Sequence, residues 1–317
     1  MKQDELEIPG LAPAAAAPAR LKPLGQIKRR LIQGSGELQE CETDSIVYQH
    51  SVLCQTVMPY RNPGESTRLW NRKQGAVCLE IEAGRAFDRR ANGFVNLGLP
   101  YGPKPRLVFY FLNTEAVRTR RPEIEVGETL TAFTKRLGLS ANGRDLRVMK
   151  EQLARFSAAR FYFGLPNADG TDTTIKGDII EGFDLWFPRD ERQRVLWPET
   201  VRFSERYFNS LMAHAVPLNE RAIALLSHTA MGLDIYTWLA QRLHRVKPGK
   251  PAFVSWYNLK DQFGQGFGRM DNFKRKFSDT LRAVHCVYPD ARVDMNEQGL
   301  IIENSPPPIA CRLLSLK

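Results

Sequence analysis

The side chains of this sequence best suited to meet an anion lie on two segments of equal charge. Residues 140–160 and residues 269–282 each hold five Lys or Arg against two Asp or Glu, a net of +3 apiece. In the first, Leu146, Met149, Leu153 and Phe156 recur at helical spacing and make one apolar stripe. At about 100° per residue Arg144, Arg147 and Arg155 fall close to opposite that stripe, with Lys150 at its flank. In the second, Phe273, Phe277, Leu281 and Val284 form the stripe, Asn272, Arg275 and Arg282 fall opposite, and Lys274 and Lys276 flank it. The chemistry this pattern suits is nucleic-acid recognition, because guanidinium forks match guanine edges while Lys meets phosphate as a point charge. An ordinary solvated face is the competing reading of either helix alone.

Catalytic constellations are not indicated. There is no G-x-x-x-x-G-K-[ST] for a nucleotide phosphate, and Gly264-Gln265-Gly266-Phe267-Gly268 follows a helix rather than a strand, so it reads as an inter-helix turn. The histidines, at 50, 214, 228, 244 and 285, include no H-x-H and no H-E-x-x-H, which leaves a metal-dependent nuclease without a scaffold. Asp178, Glu181 and Asp184 alternate along a strand-like run with no second motif beside them. The sequence therefore offers no catalytic residue, no metal ligand and no cofactor site. Cysteines at 41, 54, 78, 286 and 311 form no C-x-x-C pair and read as reduced thiols.

The two basic helices recur in one context. Phe133-x-x-x-Leu137-Gly138 is matched by Leu259-x-x-x-Phe263-Gly264 at an offset of 126, and each precedes a long amphipathic helix. Met149 and Leu153 match Phe277 and Leu281 at an offset of 128. Strand-like runs follow both: Arg160–Phe163 and Ile179–Phe187 around a Gly/Asn/Asp/Thr-rich tip, and Ala291–Met295 with Leu300–Glu303 around the turn 296–299. Helix, helix, hairpin is the order of a winged helix, in which the second helix enters the major groove and the hairpin follows the backbone. Further elements are expected as a strand at Ala76–Ala83, a buried helix at Arg106–Arg118, a strand near Val195–Phe203, and helices at Glu205–Ala213 (with Ser204 as its N-cap), Asn219–Ser227 and Leu233–Arg245.

Length and composition agree with two such units. The chain has 317 residues, 43% of them hydrophobic, which excludes disorder throughout and suits about two domains. Its net charge is +10, yet residues 1–56 carry six basic and seven acidic groups, so the excess belongs to the rest. Ile8–Pro23 is Pro/Ala-rich, and Gln26–Ile32 has the look of a short basic helix. The expected architecture is α+β: a flexible N-terminal arm (1–56), winged-helix domain 1 (57–203) and winged-helix domain 2 (204–317). With no long apolar run and no signal-peptide order, a soluble, cytoplasmic protein is expected.

Several runs carry a family likeness. Met58-Pro59-Tyr60-Arg61, Leu69-Trp70-Arg72, the stretch Gly98 to Arg106 and Arg147-x-x-Lys150-x-Gln152-x-x-Arg155 resemble the RepA-type plasmid replication initiators of bacteria. So do Ala222-x-x-Leu225-Leu226, Leu233-Asp234-Ile235-Tyr236-x-Trp238-Leu239-Ala240-x-Arg242-Leu243, Trp256-x-x-Leu259-x-x-x-Phe263-Gly264 and Ser305-Pro306-Pro307. The likeness covers roughly residues 57–308. It implies a non-enzymatic initiator of theta-type replication that binds double-stranded origin DNA at repeated sites, the iterons, and helps open a neighbouring A+T-rich segment. It also implies partners: the host replication initiator, the replicative helicase and, in the repressing state, a second copy as a homodimer. A winged-helix transcriptional repressor without origin activity and a nucleic-acid nicking enzyme are the alternatives.

Overall fold

The computed structural model describes residues 46–88, 91–166, 172–177, 179–181 and 200–309. In chain order the elements are β1 (Ile46–His50), α1 (Ser51–Gln55), β2 (Leu69–Gln74), β3 (Val77–Glu82), β4 (Arg85–Asp88), β5 (Gly93–Asn96), α2 (Pro103–Thr119), β6 (Glu123–Glu125), α3 (Leu130–Arg136), α4 (Gly143–Ala158), β7 (Arg160–Pro166), β8 (Asp172–Gly177) and β9 (Ile180–Glu181). They continue with β10 (Thr200–Phe203), α5 (Glu205–His214), β11 (Ala215–Asn219), α6 (Glu220–Leu226), α7 (Ala230–Arg242), β12 (Ala252–Ser255), α8 (Trp256–Phe263), α9 (Met270–Val287), β13 (Val293–Met295) and β14 (Gly299–Ile302). The class is α+β, and the helix, helix, hairpin order occurs twice.

Local chemistry starts the helices of both units. Thr129 caps α3 by accepting from the Ala132 amide at 3.1 Å, and Asn142 caps α4 by accepting from the Asp145 amide at 2.9 Å. Ser255 does the same for α8 through the Asn258 amide at 3.2 Å. Ser204 sits at the N-cap of α5 as expected, but its side chain makes no capping bond. Gly138 closes α3 at φ +70°, a left-handed position that costs glycine little, and its amide donates to the Lys135 carbonyl.

The second unit has a complete winged-helix sheet. Its strands run in the order β12-β14-β13, all antiparallel, so the strand before the helix pair joins the hairpin after it. The first unit is built differently. Here β6 pairs with β10, whereas the hairpin β7–β8 extends a four-stranded sheet, β2-β3-β7-β8. The hairpin partner of β7 is therefore Asp172–Gly177, and not the run Ile179–Phe187 expected from the sequence. Only Ile180–Glu181 of that run is described as strand, and it pairs with β10. In that register Ile175 is buried opposite Phe163 and Thr174 is exposed opposite Gly164, the alternation a half-buried strand needs.

Two apolar clusters lie under the units. Phe133, Met149, Leu153, Phe156, Phe161 and Phe163 belong to the first, and Trp238, Leu259, Phe263, Phe273, Phe277 and Leu281 to the second. Each of these side chains is worth roughly 1.5–3 kcal/mol on burial. Helix α2 is the wall between them, with Val108, Phe109 and Leu112 facing the first cluster and Leu107 and Tyr110 the second. Residues 46–56, assigned from the sequence to the flexible arm, are a correction: β1 pairs with β11, and α1 buries Val52 and Leu53 in the first cluster and Cys54 in the second. The Pro/Ala composition that suggests an arm stops well before Ile46, and the apolar residues after it are short enough to escape a periodicity argument. The Pro/Ala stretch and the basic run Gln26–Ile32 lie outside the described residues.

One ion pair ties the halves together. Arg106 of α2 donates from Nε and Nη2 to the two carboxylate oxygens of Asp234 on α7, both at 2.7 Å, and both residues are buried. Burial disfavours the Arg106 charge, but the Asp234 carboxylate outweighs it and raises the guanidinium above its ordinary value.

Candidate nucleic-acid interface

Exposed cations occur on both long helices, α4 and α9. On α9, Phe273, Phe277, Leu281 and Val284 are fully buried, which turns Asn272, Arg275, Lys276 and Arg282 outward. Arg275 reaches the Asn272 carbonyl oxygen of its side chain at 3.3 Å, and Arg282 pairs with Asp279 at 2.9 Å. Both members of the latter pair are more than 60% exposed, so it is worth little and leaves Arg282 available. Lys274 is placed otherwise. Its ammonium lies 5.3 Å from the Trp256 ring centroid and donates to the Glu297 carbonyl at 3.3 Å.

That contact belongs to a wing held tightly to the helices. Trp256 donates through Nε1 to the Asn296 carbonyl at 3.0 Å and through its amide to the Gln298 carbonyl at 3.1 Å. The Asn296 side chain accepts from the Gln298 and Gly299 amides, both at 2.9 Å. The wing is thus a short clamped turn, and Lys274 helps to clamp it.

On α4, Arg144 and Arg147 are exposed, and Lys150 is half-buried. Arg155 corrects the expectation that it faces outward: it is only 9% exposed. Its Nη2 meets Glu65 at 3.0 Å and Glu151 at 3.2 Å, and its guanidinium stacks 5.3 Å from the Tyr101 ring centroid. A Cβ at Gly98 would collide with that guanidinium, so the glycine admits it. The helical angle of Arg155 is as expected, but residues 97–101 and the loop around Glu65 cover that side of the helix. Beside it Gln152 accepts from the Tyr101 amide at 2.8 Å, fastening the same strap. Arg155 therefore fixes protein to protein.

Sequence reasoning missed Arg61. It is exposed and lines one groove with Asn272, Arg275, Lys276 and Asp279 of α9 and with Gly266 and Phe267 of the turn before it. Its position in a loop gave no periodicity to read, although it ends the run Met58-Pro59-Tyr60-Arg61. The turn 264–268 does connect two helices, α8 and α9, as expected.

Among the described residues no group of three or more His, Cys, Asp or Glu could hold a metal ion, and no helix is long and apolar enough to cross a membrane. Cys54, Cys78 and Cys286 are free thiols, and burial pushes Cys54 upward, far from reactivity. Cys41 and Cys311 lie outside the described residues.

These features define a protein of two helix, helix, hairpin units joined by a buried ion pair, each with cations on its longer helix. The chain belongs to the family of plasmid-encoded RepA proteins, the replication initiators of plasmids: the family's model matches residues 99–258, just over half of the sequence. No curated protein matches it. Among solved structures, one of RctB domains 2-3 is similar at 10% identity and a TM-score of 0.45, over 79% of this chain and 94% of that one. A selenomethionine form of domains 2 and 3 of RctB gives 10% identity and a TM-score of 0.44, over 79% and 92%.

Proposed function

We propose that this protein initiates plasmid replication, without catalysis of its own, by binding iterons in double-stranded origin DNA through the exposed faces of α4 and α9. Arg144 and Arg147 on α4, and Asn272, Arg275 and Arg282 on α9, meet base edges, with Lys150 and Lys276 on phosphates. The observation that carries this reading is the pair of helices in a RepA family member, each set before a hairpin, each burying apolar residues (Met149, Leu153 and Phe156; Phe273, Phe277 and Leu281) and exposing two arginines (Arg144 and Arg147; Arg275 and Arg282). Binding then favours opening of an adjacent A+T-rich segment and recruitment of the host initiator and replicative helicase in the cytoplasm, with a homodimer as the repressing form.

Footprinting of the purified protein over DNA flanking its own gene tests the reading. Protection repeated at a regular spacing of about two helical turns is expected of a tandem reader. Uniform, unpatterned protection contradicts iteron recognition. Relaxation of supercoiled origin DNA in Mg²⁺, or a covalent protein–DNA adduct, contradicts the non-enzymatic assignment.

A further inference from the structure

The chain between Val57 and Tyr60 has no regular secondary structure, yet its backbone is fastened by residues of the first half, one of which is tied to the second. Trp70 Nε1 donates to the Val57 carbonyl at 2.8 Å, and the Gly102 amide to the Pro59 carbonyl at 3.0 Å. Arg106, already locked to Asp234, donates from Nη2 to the Met58 carbonyl at 2.8 Å and from Nη1 to the Pro59 carbonyl at 3.3 Å. The Tyr60 ring lies under the same guanidinium, 5.3 Å from centroid to carbon. The first side chain to emerge from this fastened segment is Arg61.

Arg61 makes no hydrogen bond or ion pair with a described residue, and neither does the Lys276 ammonium across the groove. The single carboxylate in the lining, Asp279, is held by Arg282 at 2.9 Å. Cations from the seam and from α9 thus converge on one open groove, where their mutual repulsion falls when an anion sits between them. Because the backbone that presents Arg61 is already ordered, ion binding need not order it.

We infer that this seam groove is a phosphate-binding site, in which Arg61 and Lys276 hold one backbone phosphodiester of duplex DNA beside the base-reading Arg275. The inference rests on the proposal that α9 faces DNA, and adds that the junction of the two halves is itself part of the interface. Both halves must then keep their seated arrangement for the site to exist.

The test uses the full chain, a duplex carrying the footprinted repeat, an unrelated duplex, and salt-dependent affinity measured by fluorescence anisotropy. Arg61→Ala is expected to weaken binding to both duplexes alike, roughly three- to tenfold, and to lower the salt slope by about one, with Arg61→Lys keeping most of the affinity. In a set of repeats carrying single neutral methylphosphonates, one position is expected to weaken the wild type by the same factor and to leave Arg61→Ala unaffected. Unchanged affinity and slope in Arg61→Ala, with wild-type binding intact, overturns this inference alone. No binding by the wild type overturns the proposed function with it. Inorganic phosphate that competes with DNA only in the wild type supports the site, whereas phosphate binding that needs Arg61 while DNA binding does not assigns the groove to a free anion and overturns the DNA role.

Discussion

In the second unit the strand β12, the helices α8 and α9 and the hairpin β13–β14 form one continuous piece of chain whose three strands pair with one another. In the first unit β6 occupies the corresponding place but pairs with β10, and the hairpin leans on β3 from the other side of α2 in sequence. Arg147 and Arg275 are equivalent at the offset of 128 and are both exposed. Arg155 corresponds to Ala283, and in the first unit a strap crosses that side of the long helix. The difference teaches that a repeated apolar stripe fixes which face of a helix is buried, while the fate of the opposite face depends on segments far away in sequence.

If the halves work as one body through Arg106 and Asp234, breaking that pair has the largest effect. Arg106→Ala or Asp234→Ala leaves an uncompensated buried charge and is expected to lower stability by about 3–5 kcal/mol in urea unfolding, in both units together. A double replacement, Arg106→Met with Asp234→Leu, should cost clearly less than the sum of the single changes. Loss confined to one unit would separate them.

Acid should loosen the first unit selectively. His50 packs against Phe163 and Tyr207, with ring centroids 5.2 and 5.5 Å away, and is held neutral, down to about 3, first by burial and then by His214. Its Nδ1 accepts from the Val52 amide at 3.2 Å, so the proton sits on Nε2, facing Ser210. An unfolded histidine binds its proton near pH 6.5, so stability present above that pH is lost as pH falls toward the folded value. About 2 kcal/mol should disappear between pH 6.5 and 5 in urea midpoints, and His50→Gln should flatten that slope.

The arginines sharpen the comparison further. Arg275→Ala should cost about 1–3 kcal/mol on the cognate repeat and relax specificity there. Arg155→Ala should instead lower the urea midpoint, leaving the salt slope of DNA binding unchanged because the buried guanidinium meets no phosphate. The smallest effect is at Gly138, one of the two matched glycines. Gly138→Ala meets no neighbouring atom and is expected to cost about 1 kcal/mol for its left-handed backbone alone. Gly264→Ala runs into the Lys260 carbonyl at 2.5 Å, so its thermal midpoint should fall further than that of Gly138→Ala.

Both helix pairs and both apolar stripes were legible in the sequence because helical periodicity is local: Met149, Leu153, Phe277 and Leu281 are all fully buried. The wing of the second unit was legible from its turn residues around Asn296 and Gly299. The partner of β7 was not, since two later runs could both supply a strand and only the assembled sheet chooses between them. Arg61 escaped for a related reason: its role depends on Arg106 holding Met58 and Pro59 across a gap of more than forty residues, which no spacing rule encodes.

Hydroxyl-radical footprinting on a single repeat, comparing the wild type with Arg144→Ala/Arg147→Ala and with Arg275→Ala/Arg282→Ala, most directly examines whether both long helices engage one duplex. Two protected stretches of backbone are expected, about one helical turn apart, with each double variant erasing a different stretch. A single stretch, or two stretches indifferent to Arg144 and Arg147, would show that the first unit does not touch the DNA through α4.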